Sequence, residues 1–241
     1  MLKLGYTKNV KKERNNNDSK GSLLKNFYSI LQEINYEPLH IVDVGANHGT
    51  WTRESLKYFP DANYSLFEPQ HWLAESINDI TSKNKKVKFN PFGVGRKKGT
   101  FKFTIHDRDD SCSFKYSKDE AKKHGFEQID LPVITLNEFF KENKLSIPDI
   151  VKIDAEGLDL DVLEGASDFF GKTEIILVEA AVMNGNMENT VLKTLNYMDS
   201  IGYKLFDVTD LNRPFKTKIL WLVEFVFIKK NGAIDMLEFK L

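Results

Sequence analysis

Short apolar runs alternate along the 241-residue chain with stretches in which apolar residues recur every three or four positions. The runs are typical of buried strands, and the longer spacing is typical of one face of a helix. Repeated strand–helix–strand units with near-continuously apolar strands predict an α/β fold with a mostly parallel sheet and helices on both faces. The predicted strands cover 39–44, 64–68, 87–89, 129–134, 149–154, 174–180, 203–208 and 220–230. The predicted helices are one that begins at Ser22 and ends before Pro38, followed by 50–59, 71–83, 135–143, 158–170 and 188–202.

Residues 99–107 follow a different pattern, with apolar and polar side chains in strict alternation. This alternation predicts a half-exposed antiparallel strand, either at the edge of the sheet or across its top. The next segment, 108–128, is polar, with one short helical stretch at 117–124. Long insertions without regular structure are uncommon in compact domains and tend to be lids or binding loops. We therefore expect residues 108–128 to cover a substrate.

The first 20 residues are rich in Asn and Lys and show neither a helical nor a strand period. They predict a flexible basic arm at 1–20, followed by a single domain over 21–241. The arm lacks the apolar segment of a secretory signal, and the chain has no uninterrupted apolar run of about 18 residues, the length that a membrane-spanning helix needs. We therefore expect a cytoplasmic protein without a membrane span.

The charge and the cysteine content argue against two classes of function. The 34 Lys and Arg residues nearly balance the 35 Asp and Glu residues, and the formal net charge is −1. A nucleic-acid-binding protein normally shows a clear basic excess, so nucleic acid is not an expected partner. Cys112 is the single cysteine, which excludes an internal disulfide and a cysteine-based metal cluster and is typical of a reducing compartment.

The segment 41–51, IVDVGANHGTW, predicts a buried strand, a glycine turn and the start of a helix. Such a turn lets a ligand approach the backbone closely, and the helix N-terminus offers free N–H groups to an anion. The spacing of Gly45 and Gly49 differs from the dinucleotide pattern G-x-G-x-x-G, and the turn lacks the Gly-Lys-Ser/Thr of a P-loop. A small anion such as an amino-acid carboxylate therefore fits better than a pyrophosphate. The alternative is that the two glycines only form a tight turn.

An acidic residue, Glu68, ends the second predicted strand, 25 residues after Asp43. A carboxylate at that position can accept hydrogen bonds from a ribose diol. Asp43, the glycine turn and Glu68, in this order, predict a site for a nucleoside with a zwitterionic tail. S-adenosylmethionine has this shape.

Six segments carry a resemblance to a known family: 43–49, 67–69, 93–103, 110–114, 150–166 and 175–180. They resemble the FkbM-type family of S-adenosylmethionine-dependent class I methyltransferases, and KIDAEG with VLEGA, within 150–166, is the most specific part. The resemblance implies a doubly wound, Rossmann-like fold, with a mostly parallel seven-stranded sheet, an antiparallel last strand and helices on both faces. It also implies O-methylation of a hydroxyl, commonly on a sugar, polysaccharide or polyketide-type acceptor.

The resemblance also assigns parts of the cofactor to positions in this chain. Asp43 and the glycine turn would line the methionine part, Glu68 the ribose, and Gly93 with Val94 the adenine. The expected cofactor-binding residues are Asp43, Gly45, Ala46, Asn47, Gly49, Glu68, Pro69, Gly93, Val94 and Asp154.

Three carboxylates follow or end neighbouring strands: Asp154, Glu156 and Glu179. The carboxyl ends of the strands are the edge at which open α/β sheets bind ligands. The three carboxylates could bind the cofactor's ammonium, act as a base, or hold a divalent cation, although their spacing alone does not support a metal site and we assign no metal ligand. The alternative is structural, with the carboxylates capping helices or pairing with Lys152 and Lys172.

A hydroxyl acceptor needs a base to take its proton during methyl transfer. We select Asp154 and His106 as the candidate catalytic residues, His106 because it adjoins the 108–128 segment. The other candidates are the remaining acids at the strand ends and His48, His71 and His124.

The sequence therefore predicts an S-adenosylmethionine-dependent methyltransferase that acts on a small-molecule or glycan acceptor. Two alternatives stay open. One is a nucleotide-dependent oxidoreductase on a Rossmann-like sheet, which the missing dinucleotide glycines disfavour. The other is a non-catalytic binding protein that keeps the cofactor fold without turnover.

Overall fold

The computed structural model describes residues 21–183 and 187–238. The predicted arm at 1–20 lies outside the described residues. Within 21–183 and 187–238, no helix is long and apolar enough to cross a membrane. The strands are β1 (His40–Val44), β2 (Asn63–Phe67), β3 (Val87–Asn90), β4 (Gly93–Val94), β5 (Gly99–Ile105), β6 (Glu127–Ile134), β7 (Ile150–Ile153), β8 (Ile175–Ala181), β9 (Tyr203–Asn212) and β10 (Leu222–Lys229). The α-helices are α1 (Ser22–Glu33), α2 (Thr50–Ser55), α3 (Asn78–Thr81), α4 (Lys118–His124), α5 (Leu136–Glu142), α6 (Asp159–Glu164) and α7 (Val191–Ser200).

Seven strands form the main sheet, in the order β3-β2-β1-β7-β8-β10-β9. The pairs from β3 to β8 are parallel, and β10 is antiparallel to both of its neighbours. This arrangement confirms the predicted class I methyltransferase fold with an antiparallel last strand. Because β1, β2, β7 and β8 run in the same direction, their carboxyl ends meet at one edge of the sheet.

The central strands are apolar along their length because successive side chains enter two different cores. In β8, Ile176 and Val178 pack into the core that contains α5, α6 and α7, whereas Ile175 and Leu177 pack into the core that contains α1. Each core is therefore covered by helices on its own face of the sheet, as predicted.

The strand predicted at 99–107 is antiparallel, but it does not join the main sheet. It forms β5, which pairs with β6 in a separate three-stranded sheet of order β4-β6-β5. Phe103, Leu131 and Cys112 form a small core of their own under this sheet. The strands predicted at 99–107 and 129–134 thus belong to a second, smaller sheet beside the main one.

Several predicted element boundaries need correction. Residues 71–83 form a 3₁₀ segment, His71–Ile77, followed by the single α-turn of α3. The predicted helix 158–170 is interrupted at Gly165, where a β-carbon would lie 2.1 Å from the carbonyl oxygen of Gly95. The short helical stretch predicted at 117–124 is confirmed as α4, whose N-terminus carries a capping box between Ser117 and Glu120.

Candidate active site

The functional residues predicted from sequence meet where β1, β2 and β7 end. Val44 is in register with Phe67 on one side and Ile153 on the other. The next residue of each strand, Gly45, Glu68 and Asp154, therefore begins a loop at the same edge of the sheet. This is the edge at which ligands bind in open α/β sheets.

Gly45 opens the glycine turn in a left-handed conformation, with a φ of 72°. A β-carbon at this position would lie 1.9 Å from the carbonyl oxygen of Asp154, so only glycine lets the turn pass the end of β7. This close approach is a structural reason for Gly45 that needs no ligand. It also brings the turn directly against one of the predicted catalytic residues.

Glu68 is buried and ties the end of β2 to the glycine turn. Its Oε2 accepts a hydrogen bond from the N–H of Asn47 at 2.8 Å, and its Oε1 accepts one from the N–H of Gln70 at 2.9 Å. Burial raises the pKa of Glu68, and these two N–H groups act in the opposite direction. Each carboxylate oxygen keeps a second lone pair for a further donor.

A cleft of about 630 Å³, here named the inner cleft, opens above these strand ends. Seven of the ten expected cofactor-binding residues line it: Gly45, Asn47, Glu68, Pro69, Gly93, Val94 and Asp154. The other three lie outside its lining. Asp43 is buried in β1, Gly49 precedes α2, and Ala46 lines the neighbouring cleft described below.

The 108–128 segment forms part of the wall of the inner cleft through residues 109–110 and 112–114. The Phe114 ring lies over Gly93, where a β-carbon would come within 2.5 Å of it. Phe67, Phe92 and Leu158 add further apolar surface. These walls suit a flat, apolar ring system such as adenine.

Gln70 gives the inner cleft a buried, unsatisfied polar atom. Its Nε2 donates to the carbonyl oxygen of Asp109 at 2.9 Å, whereas its Oε1 is buried without a hydrogen-bond partner. A buried acceptor without a partner is costly unless a ligand supplies a donor. An exocyclic amine on an adenine ring would be such a donor, so the residues present fit a nucleoside. Sequence reasoning missed Gln70, although it follows Glu68 by two positions.

A buried lysine, Lys152, connects β7 to β1. Its Nζ lies 3.2 Å from Oδ1 of Asp43, 3.4 Å from Oδ2 of Asp154 and 3.1 Å from the carbonyl oxygen of Gly45. Burial favours the neutral amine, but Asp43, Asp154 and Glu224 outweigh it and raise the pKa of Lys152. The lysine therefore stays charged. Asp154 therefore pairs with Lys152, as the structural alternative predicted, and it also lines the inner cleft.

Asp159 is a buried acid with a structural role at the start of α6. Its carboxylate accepts hydrogen bonds from the N–H groups of Ala155 and Gly157 and from the Asn189 side chain. Burial and then the charge of Asp154 raise the pKa of Asp159 to about 7. These contacts hold the loop that carries Glu156.

Glu156 and Glu179 are the other two acids predicted at this edge. Burial and then the charges of Asp154 and Asp159 raise the pKa of both carboxyls. Oε2 of Glu179 is buried and has no hydrogen-bond partner. Glu156, whose pKa is raised to about 8, can therefore hold a proton at neutral pH.

A second, larger cleft of about 1850 Å³, here named the outer cleft, adjoins the first. Its walls come from α1, from the start of α2 and from the β9–β10 hairpin, and include Trp51 and Trp221. The residues that line both clefts are Gly45, Asn47, Asp110, Asp154 and Glu156. Asp154 and Glu156 therefore lie where a ligand in one cleft would meet a ligand in the other.

His106, the second predicted catalytic residue, lines neither cleft. Its ring lies beside Phe126 and Tyr116, at centroid distances of 4.2 Å and 5.4 Å. A catalytic role for His106 stays a prediction without a supporting contact. His48 does line the outer cleft, where its ring contacts Ser76 and Asp109.

The comparisons with known proteins decide the family. The family model described as "Methyltransferase FkbM domain" matches residues 43–205. This chain belongs to that family. As a member of the FkbM methyltransferase family it carries a methyltransferase domain, and S-adenosylmethionine is the methyl donor of this class.

Among curated proteins, the chain is similar to the 2-O-methyltransferase NoeI of Sinorhizobium fredii (strain NBRC 101917 / NGR234), with 23% identity over 150 residues. The match covers 58% of this chain and 62% of NoeI, so the chain spans less than two thirds of that relative.

Solved structures of methyltransferases resemble the chain in fold. Precorrin-6y C5,15-methyltransferase of Geobacter metallireducens GS-15 has 14% identity and a TM-score of 0.47, covering 80% of this chain and 81% of its own. Magnesium protoporphyrin IX methyltransferase (ChlM) of Synechocystis PCC 6803, with bound SAM, has 8% identity and a TM-score of 0.48, covering 86% and 78%.

Proposed function

We propose that this chain transfers the methyl group of S-adenosylmethionine to a hydroxyl group of a sugar or similar small hydroxylated acceptor. The observation that carries the proposal is the pair of adjoining clefts that share Asp154 and Glu156. One cleft has the apolar walls and buried acceptors that suit a nucleoside. The other is wider and has the carboxylates and tryptophans that suit a polyol.

In the inner cleft, the free lone pairs of Glu68 would accept hydrogen bonds from the ribose hydroxyls, and Oε1 of Gln70 would accept one from the adenine amine. Phe114 and Phe92 would enclose the ring. Lys152 holds Asp43, Asp154 and the glycine turn in one position, so the methionine end meets a fixed surface. This preorganisation supplies most of the rate when the leaving group is already good.

Bound S-adenosylmethionine supplies an electrophilic methyl group on a sulfonium. The acceptor oxygen would form the new bond to this carbon as the bond from sulfur to carbon breaks, and S-adenosylhomocysteine would be the leaving group. Asp154 takes the proton of the acceptor hydroxyl, because its side chain is partly exposed, at 37%, and borders both clefts. The protonated carboxyl then returns its proton to solvent through the outer cleft.

The similarity to NoeI, a 2-O-methyltransferase, supports oxygen as the methylated atom. The support is limited to the matched part of that relative, which is 62% of its length. A sugar or similar acceptor is favoured by the outer cleft itself, since carboxylates accept hydrogen bonds from hydroxyls and an indole face packs on a sugar ring.

Calorimetry and a methyl-transfer assay test the proposal. We expect the chain to bind S-adenosylhomocysteine and not NAD, and Glu68→Ala to abolish that binding. Tight binding of NAD would favour the oxidoreductase, and binding without transfer to any hydroxylated acceptor would favour a non-catalytic protein. Within 21–183 and 187–238, no group of three or more His, Cys, Asp or Glu residues is arranged to hold a metal. We therefore expect transfer to persist in excess EDTA.

A further inference from the structure

We propose that the acceptor carries a protonated amine, so that the outer cleft selects amino-bearing sugars over neutral and anionic ones. This inference rests on the proposed function and deepens it. It starts from a ladder of three acids across the last strands of the sheet. Glu179 on β8 is in register with Glu224 on β10, and Glu224 is in register with Asp210 on β9.

The three residues of this acid ladder share one face of the sheet, because residues directly opposite each other in antiparallel strands point to the same side. All three line the outer cleft, and none of them lines the inner cleft. Like charges directly opposite each other destabilise a sheet. The ladder therefore costs the fold stability unless its carboxyls hold protons or positive charge enters the cleft.

The basic lining residues supply only part of that charge: Lys152 acts on Glu224 at a distance, and within the described residues none of the three forms an ion pair with a residue of the ladder. The outer cleft has seven acidic lining residues and three basic ones. Lys152 already lies between Asp43 and Asp154, and Arg108 is hydrogen-bonded to Asp110. Within the described parts of the chain, Glu179 forms no ion pair with a lysine or arginine.

A separate observation identifies where a ligand would bind. Oε2 of Glu179 is buried and has no hydrogen-bond partner, although the carboxyl borders a large cleft. Glu224 is also buried, and its Oε1 accepts a hydrogen bond from Thr209. An ammonium offers three donors and a full charge, which matches two adjacent carboxyls better than a neutral hydroxyl does.

Two aromatic residues complete the complementarity. Trp51 and Trp221 line the same cleft as the ladder. The face of an indole attracts a cation and also packs against a sugar ring. A sugar with an amino group uses both properties at once, whereas a phosphorylated or carboxylated sugar would meet repulsion from the ladder.

Protonation links the ladder to ligand binding. Burial raises the pKa of Glu224 to about 7. The positive charge of Lys152 and the hydrogen bond from Thr209 lower this pKa, whereas the charges of Asp154 and Asp210 raise it further. The charges that face Glu179 are those of Asp154, Asp159, Glu156 and Glu224, and with burial they raise its pKa as well. An incoming ammonium lowers both pKa values, so binding at pH 7 should release protons to the buffer.

The experiment compares two tetrasaccharides that differ in one group: the β-1,4-linked tetramer of glucosamine and its N-acetylated counterpart. Each is titrated at pH 7 into the full chain saturated with S-adenosylhomocysteine. We expect the glucosamine tetramer to bind at least 10-fold more tightly, and repeats in buffers of different ionisation enthalpy to show net proton release. Glu179→Gln should abolish the preference, while Asp130→Asn, an exposed acid paired with Lys102 on the small sheet, should keep it.

Equal affinity for the two tetramers, tighter binding of the N-acetylated tetramer, or binding of neither would overturn the inference. In all three cases bound S-adenosylhomocysteine shows that the cofactor site is intact, so the proposed function is unaffected. Failure of S-adenosylhomocysteine to bind overturns the proposed function instead. Glu224→Gln offers a second variant, with the same expected loss of preference, if Glu179→Gln does not fold.

Discussion

The Nζ atom of Lys152 lies 3.2 Å from Oδ1 of Asp43, its register partner on the neighbouring strand, and both side chains are buried. Removing one member of a buried pair leaves the other charge uncompensated and costs about 3–5 kcal/mol. We expect Lys152→Met to lower the free energy of unfolding by that amount, as measured by urea denaturation.

The matched control for this pair is Lys102→Met, which breaks the exposed pair between Lys102 and Asp130. Exposed pairs contribute about 0–1 kcal/mol, so the control should unfold almost as the native chain does. The double variant Lys152→Met with Asp43→Asn should recover part of the loss. Equal stability of Lys152→Met and Lys102→Met would show that the buried pair is not needed for folding.

Gln70 is expected to recognise the adenine amine, because its Oε1 is buried in the inner cleft without a partner. S-inosylhomocysteine has an oxygen in place of that amine and should bind about 10-fold more weakly than S-adenosylhomocysteine, since one hydrogen bond to a buried acceptor is worth about 1–3 kcal/mol. In Gln70→Leu the two ligands should bind with similar affinity. Gln32→Leu, on the exposed surface of α1, is the control. Calorimetry measures the affinity of the native chain and of both variants for the two ligands.

The candidate catalytic residues can be separated by kinetics. Asp154→Asn should lower kcat about 100-fold or more with little change in S-adenosylhomocysteine affinity, because general base catalysis typically contributes about 10²–10⁴-fold. His106→Ala should leave kcat nearly unchanged, since the ring packs among Phe126 and Tyr116 outside both clefts. A large kcat loss in His106→Ala, at unchanged stability, would transfer the catalytic role to that residue.

Glu224 should make the protein less stable as the pH rises. Its pKa is raised to about 7 in the folded chain, above the usual value of a glutamate, so the folded state binds more protons between pH values of about 4.5 and 7. Stability is therefore highest below that range and falls through it. We expect Glu224→Gln to flatten this fall by about 1–3 kcal/mol in denaturation curves recorded from pH 4 to 8. A variant that loses stability in parallel with the native chain would contradict the prediction.

The strands of the main sheet and the acids at their ends could be predicted because they depend on local patterns. The apolar runs and the glycine turn predict that Gly45, Glu68 and Asp154 follow parallel strands and so lie at one edge of the sheet. This prediction does not require knowledge of contacts with distant parts of the chain. The inner cleft needed more than this. Gln70 and Phe114 become visible only when the small sheet brings the 108–128 segment over Gly93, which is a long-range contact without a sequence signature.

The acid ladder illustrates the same limit more sharply. The sequence predicts Glu179 as a strand-end acid, whereas Glu224 lies inside the predicted strand 220–230 and Asp210 lies beyond the predicted strand 203–208. Their significance depends on the pairing register of β8, β10 and β9, which a single sequence does not encode in any short motif. His106 is the opposite case, because its place beside the 108–128 segment in sequence did not bring it to a cleft.

The family match ends at residue 205, whereas Asp210, Trp221 and Glu224 all follow it, and α1 precedes its start. Glu179, Trp51 and the glycine turn lie within the matched residues, whereas part of the outer-cleft wall, on α1 and on the β9–β10 hairpin, is thus encoded outside them. Mutations there can reshape what is methylated while the donor site stays intact. Substitutions in that hairpin or in α1 would change the outer cleft without altering Gly45, Glu68 or Asp154 at the strand ends.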